Sequence, residues 1–192
     1  MEAFLVSTGI VALAEIGDKT QLLALVLAAK YRKPIPIIFG ILIATLVNHA
    51  VAGYVGAWVA SAVGAELMRW ILGVSFLAMA AWMLVPDKLD DDDGTKSARY
   101  GVFLTTFLAF FVVEIGDKTQ IATVALAAKY SSLVAVVGGT TLGMMIANVP
   151  AVLLGEVAAK KLPMRLVHGI AAAIFALLGV LVLLGVGSDL VG

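Results

Sequence analysis

Glu15-Ile16-Gly17-Asp18-Lys19-Thr20-Gln21 returns letter for letter as Glu114-Ile115-Gly116-Asp117-Lys118-Thr119-Gln120, ninety-nine positions further on. Each copy brings two carboxylates, one ammonium and one amide into an otherwise apolar run. Carboxylate and amide oxygens are ligands for hard divalent cations such as Ca²⁺ and Mn²⁺. The chain has no cysteine, so a disulfide framework, a thiolate metal site and a thiol nucleophile are excluded. Written as one helix, Glu15, Asp18 and Lys19 are spaced i, i+3 and i+4 and share a face that Gln21 extends, while Gly17 lets another backbone approach. If the two copies meet, Glu15, Asp18, Glu114 and Asp117 converge, with Gln21 and Gln120 as neutral oxygen donors.

Charge then limits what such a site can carry. Four carboxylates against the ammoniums of Lys19 and Lys118 leave −4 + 2 = −2. One divalent cation restores neutrality, and so do two protons. A low-dielectric site resists net charge, so the two loads should compete, which is the logic of a divalent-cation/proton antiporter. The plainer reading is a buried ion pair within each motif, Glu15 with Lys19, holding helices together. Duplication and the surplus carboxylate weigh against it, because intramembrane charges mark ion pathways.

Other polar residues are accessory candidates. Thr20 and Thr119 could ligate directly or only bond the preceding turn. His49 and Asn148 occupy the same position of the repeat, and either could touch the cation, relay protons or bond across helices. Asn48 ranks below them because Ala147 is its counterpart. His168, Glu66, Arg69 and Arg165 read as interfacial, and Glu156 with Lys160 as a surface pair. Met144 and Met145 lie close enough in sequence to Asn148 to count as soft contacts.

The elements that must position these residues are membrane spans. The 192 residues are 62% hydrophobic and only 14% charged, with a mean hydropathy of +1.07; a soluble domain would be about a quarter charged. Formal net charge is zero and no basic tract exists, so nucleic acid is not an expected partner. Apolar segments run at 3–29, 34–60, 66–86, 100–129, 132–159 and 163–187, each long enough for a core of roughly 30 Å. The first and fourth exceed that thickness, so tilt, a kink or a break is expected, with Gly17 and Gly116 as weak points. Pro150 should kink the fifth. The start lacks a basic n-region, so the first segment is expected to be retained.

The repeat extends past the motif: Leu27-Ala28-Ala29-Lys30-Tyr31 matches Leu126-Ala127-Ala128-Lys129-Tyr130, and Gly40 matches Gly139. Each half therefore carries three segments, and three being odd, the second half enters from the opposite side. The predicted fold is all-α integral membrane: six transmembrane helices as two inverted-topology three-helix repeats, 1–86 and 100–192, joined by an acidic linker at 87–99. Inverted repeats with a midplane site are a recurring transporter plan. One side's connections hold Lys30, Arg32, Lys33, Lys88, Lys96, Arg99, Lys160, Lys161 and Arg165; the other side has Arg69 and Lys129. The positive-inside rule puts both termini away from the cytoplasm and Asp90–Asp93 within it.

The duplicated Glu-x-Gly-Asp-Lys-Thr signature resembles the GDT family of cation/proton antiporters over essentially the whole chain, and specifically its bacterial manganese-exporter branch. The resemblance implies export of Mn²⁺, with Ca²⁺ as the alternative cargo, against inward protons, from a bacterial inner membrane. It carries the family's acidic residues onto Glu15, Asp18, Glu114 and Asp117. No cofactor is expected; the partners are divalent cations, protons and the bilayer, with pairing into a homodimer left open. The competing classes are an intramembrane metal-dependent hydrolase and a structural subunit. A hydrolase would want phosphate-binding arginines, and none lies in the interior of a span, Arg69 and Arg165 falling at segment ends.

Overall fold

The computed structural model describes residues 1–85, 101–154 and 164–185. Asp90–Asp93 and the pair Glu156 with Lys160 lie outside them. Eight helices form among the described residues: α1 (Glu2–Glu15), α2 (Lys19–Tyr31), α3 (Pro34–Ala62), α4 (Ala65–Met83), α5 (Val102–Glu114), α6 (Lys118–Lys129), α7 (Leu133–Leu154) and α8 (Met164–Leu183). The first four recur in order as the last four, so the repeat of the sequence is a repeat of elements. Pro34 opens α3, where its missing N–H does no harm. Helix α7 runs through Pro150.

Among the described residues, four helical stretches are long and apolar enough to cross a membrane: Pro34–Ala62, Ala65–Met83, Leu133–Leu154 and Leu166–Leu183; Val102–Glu114 is apolar but shorter. Their outward faces are greasy. Trp58, Trp70, Leu108, Val112 and Leu177 are exposed, as befits side chains whose solvent is hydrocarbon. The first and fourth segments of the sequence are each two helices in series, the break that their excess length leads one to expect.

Small residues let the halves close on each other. Helix α1 packs on α7 and α5 on α3. Gly139 faces Phe4 and Ser7, while Gly40 faces Phe103 and Thr106. These are the same contact with the halves exchanged, the mark of an isologous two-fold pairing. A Cβ on Gly40 would stand 2.7 Å from the Thr106 Cβ and 2.9 Å from the Phe103 carbonyl oxygen. Backbone cannot retreat as a flexible side chain can, so Gly40→Ala is expected to cost about 1–3 kcal/mol. It should read as a lower melting temperature of the detergent-purified protein. Gly9→Ala, where a Cβ meets nothing within 4 Å, should leave that temperature unchanged or raise it.

Candidate metal centre

Both motifs sit at helix breaks, and glycine makes the breaks. Gly17 adopts φ +84° and Gly116 φ +75°, a region that costs an ordinary L residue about 1–2 kcal/mol. The residues on either side are extended, so Glu15 ends α1 and Lys19 begins α2. Glu114 and Lys118 do the same for α5 and α6. Glu15, Asp18 and Lys19 therefore do not share one helical face, as a continuous helix would have them; the positive φ at Gly17 redirects the chain between them.

A break in an apolar surrounding leaves backbone groups that water cannot satisfy. Here the motif supplies its own partners. Gly17 N–H donates to Gln21 Oε1 at 2.9 Å, and Gly116 N–H to Gln120 Oε1 at 2.7 Å. Asp18 N–H donates to the Glu15 carbonyl at 3.0 Å and Asp117 N–H to that of Glu114 at 3.1 Å. Gln21 Nε2 reaches the Ala147 carbonyl at 2.9 Å, and Gln120 Nε2 reaches Asn48 Oδ1 at 3.5 Å. Each glutamine thus ties its break to a helix of the opposite half. Each amide oxygen keeps a second lone pair.

Asp18 and Asp117 stand at the N-cap positions of α2 and α6, yet neither carboxylate caps its helix. Each takes the lysine of the other motif instead. Lys118 Nζ lies 3.3 Å from Asp18 Oδ1, and Lys19 Nζ lies 3.1 Å from Asp117 Oδ1. The ion pairs run crosswise between the halves, where the plainer sequence reading had Glu15 with Lys19 inside one motif. The helix N-termini behind the aspartates carry positive partial charge, which further favours carboxylates there.

Oxygens of Glu15, Asp18 and Asp117, all buried, lie within 4.8 Å of one another. That is a cation-sized gathering of hard ligands. Glu114, equally buried but not one of these three, accepts from Thr45 Oγ1 at its Oε1 (2.6 Å) and from Asn48 Nδ2 at its Oε2 (3.0 Å).

A family profile described as the divalent cation/proton antiporter GDT1 matches residues 3–91 and 102–189. The chain belongs to the GDT1 family. A protein of Vibrio cholerae to which manganese export has been ascribed is 51% identical over 93% of this chain and 88% of its own length. Rice GDT1-like protein 3 (Oryza sativa subsp. indica) is 28% identical over 91% of this chain and 71% of its own. A GDT1-like protein of Synechocystis is 27% identical over 94% and 96%. No solved structure matches. The chain is a membrane cation transporter and not an enzyme, which removes the hydrolase alternative.

The remaining polar residues of this GDT1 chain divide unevenly around the four carboxylates. Asn148 Nδ2 lies 3.4 Å from Glu15 Oε1 and also donates to the Met144 carbonyl and sulfur at 3.0 and 3.3 Å. Its counterpart His49 is fully buried, and neither ring nitrogen has a hydrogen-bond partner among the described residues. Thr119 Oγ1 donates to Asp117 Oδ2 at 3.2 Å, whereas the buried Thr20 hydroxyl has no partner among the described residues.

Two residues escaped the sequence reading. Thr45 holds Glu114, and the signal was available: Thr45, Asn48 and His49 fall at i, i+3 and i+4, one polar stripe on an apolar helix. His168, read as interfacial, instead has its Nε2 2.8 Å from the Ile16 carbonyl oxygen. A carbonyl only accepts, so that nitrogen carries the proton. No sequence pattern links a histidine of α8 to the first break.

Proposed function

We propose that this chain exports Mn²⁺ from the cytoplasm in exchange for two protons, by alternating access around the site the two motifs build. The observation that carries this reading is the trio Glu15, Asp18 and Asp117 within 4.8 Å, cross-linked to the lysines of the opposite motifs. With Glu114 included, four carboxylates and two ammoniums sum to −2, the charge that one Mn²⁺ or two protons cancels. Both lysines contact the aspartates, so both belong in the sum. Glu15, Asp18, Glu114 and Asp117 bind the cation and take the protons. Gln21 and Gln120 offer the second lone pair of the oxygen that braces each break, and Thr119 and Asn148 stand beside the ligands.

On this reading α1 with α2, and α5 with α6, are each one interrupted span, which gives six crossings and places the halves in inverted topology. Discontinuous helices with ends aimed at the ion are how transporters of that plan build a midplane site. The halves differ in the way one access state requires. Lys118 is buried and Lys19 is 25% exposed, and Glu114 is tightly held while Glu15 is not. Exchanging those two environments between halves opens the other side. The termini lie outside the cytoplasm in a bacterial inner membrane, on the loop-charge argument above.

Purified protein in liposomes tests this. An imposed pH gradient should drive Mn²⁺ flux, and an imposed membrane potential should change its rate by less than about twofold, since a 1:2 exchange moves no net charge. Steep voltage dependence would refute the stoichiometry. Absence of flux under a pH gradient would refute antiport.

A further inference from the structure

The halves differ at three positions of the polar stripe beside the glutamates, Thr45/Met144, Asn48/Ala147 and His49/Asn148, and the first of them exchanges a hydroxyl for a sulfur. Thr45 and Met144 are repeat equivalents, and each lies on the helix that packs against the other half's glutamate. On one side the Thr45 hydroxyl donates to Glu114 Oε1 at 2.6 Å. On the other, a thioether takes the hydroxyl's place. Met144 is fully buried, and Asn148 Nδ2 lies 3.3 Å from its sulfur and 3.4 Å from Glu15 Oε1. Sulfur and carboxylate therefore share one amide nitrogen as neighbour.

That corner has acceptors to spare. Glu15 Oε2 and Asn148 Oδ1 are buried and take no hydrogen bond among the described residues. Buried acceptors of this kind are nearly always satisfied, so an unsatisfied pair points to a missing donor or ion. Glu15 is also one of the three carboxylates that gather within 4.8 Å. Methionine is unbranched, with three rotatable bonds, so its sulfur, a weak acceptor, can leave the Asn148 N–H and turn to a cation without moving the helix.

We infer that Met144 is a ligand of the transported cation beside Glu15 and Asn148, its thioether setting the preference for Mn²⁺ over Ca²⁺. The inference rests on the antiport reading and supplies what an all-oxygen donor set leaves open. Ca²⁺ takes oxygen ligands and gains little from sulfur; Mn²⁺ also suits carboxylate oxygens, but as a first-row transition ion it is the less hard of the two and the better able to accept one thioether among them. The other half offers Thr45 instead, so the selectivity is asymmetric and is exercised at Glu15.

Mn²⁺ and Ca²⁺ fluxes in the same liposomes test it, with Met144→Leu beside the intact protein. The half-saturating Mn²⁺ concentration should rise about tenfold, the low end of what altering a metal site's surroundings costs, while that for Ca²⁺ stays put. Cd²⁺, a thiophilic competitor, should inhibit the intact protein and lose potency against the variant. Met144→Thr, the residue of the equivalent position, should shift the Mn²⁺/Ca²⁺ ratio in the same direction, so a variant that fails to fold leaves the other to decide. Intact flux with an unchanged ratio in the folded variants overturns the inference alone. An intact protein that moves neither ion overturns the antiport reading, and the inference with it.

Discussion

Asp18→Asn is expected to lower Mn²⁺ flux by about 100-fold or more, and adding Lys118→Met to it should recover part of the loss. Two effects combine in the single variant. It takes a carboxylate from the trio, and it strips the Lys118 ammonium, 1% exposed, of the carboxylate 3.3 Å away. Removing one partner of a buried pair costs about 3–5 kcal/mol, because the survivor stays charged in a low dielectric. At about 1.4 kcal/mol per decade, that is roughly two to three decades in affinity. The site's sum also moves from −2 to −1, so a bound Mn²⁺ would leave it at +1. The double variant holds Glu15, Glu114 and Asp117 against Lys19, −3 + 1 = −2, and neutral loading returns with one ligand fewer. Flux measured for both singles and the double closes a mutant cycle. A double variant as inactive as the two losses multiplied would show that the ion pair and the cargo are not coupled through charge.

The apolar helices, the repeat and the buried carboxylates were legible because membrane burial writes them in composition. A chain that must hide every backbone group in hydrocarbon has long apolar runs, and any carboxylate within one stands out. The excess length of the first and fourth runs pointed to breaks at Gly17 and Gly116. What could not be read was the consequence of breaking there. Periodicity assumes one backbone conformation throughout, so it placed Glu15, Asp18 and Lys19 on one face and left Glu15 with Lys19 as the plainer alternative. A positive φ in each motif goes with lysines that instead reach the other half's aspartates.

Pair formation between distant segments leaves no trace in spacing. The Thr45–Glu114 bond and the His168–Ile16 contact join residues 69 and 152 positions apart. Only the repeat reached that far, since it matched Gly40 with Gly139, and the two glycines make the same contact against α5 and α1. It did not show where the halves differ: Thr45 and Asn48 both donate to Glu114, whereas their counterparts, Met144 and Ala147, bring no side-chain N–H or O–H to Glu15.

The repeated glycine is the residue on which the placement of both aspartates depends, and Gly116→Ala is expected to reduce flux about 30-fold or more in a protein that still folds. A Cβ at Gly116 would meet nothing within 4 Å, so crowding is not the cause. At φ +75° an alanine is strained by about 1–2 kcal/mol, and in a helix it is favoured over glycine by about 1 kcal/mol. Together these shift the break toward continuous helix by about 2–3 kcal/mol. Continuous helix would withdraw Gly116 N–H from Gln120 and swing Asp117 away from Lys19 and from the trio. Asparagine separates this account from one based on size. It is the larger side chain but tolerates the left-handed region, so Gly116→Asn should retain several-fold more flux than Gly116→Ala. Circular dichroism should record slightly more helix in the alanine variant than in either the asparagine variant or the intact protein. If alanine and asparagine cost the same, the left-handed break is not what positions Asp117.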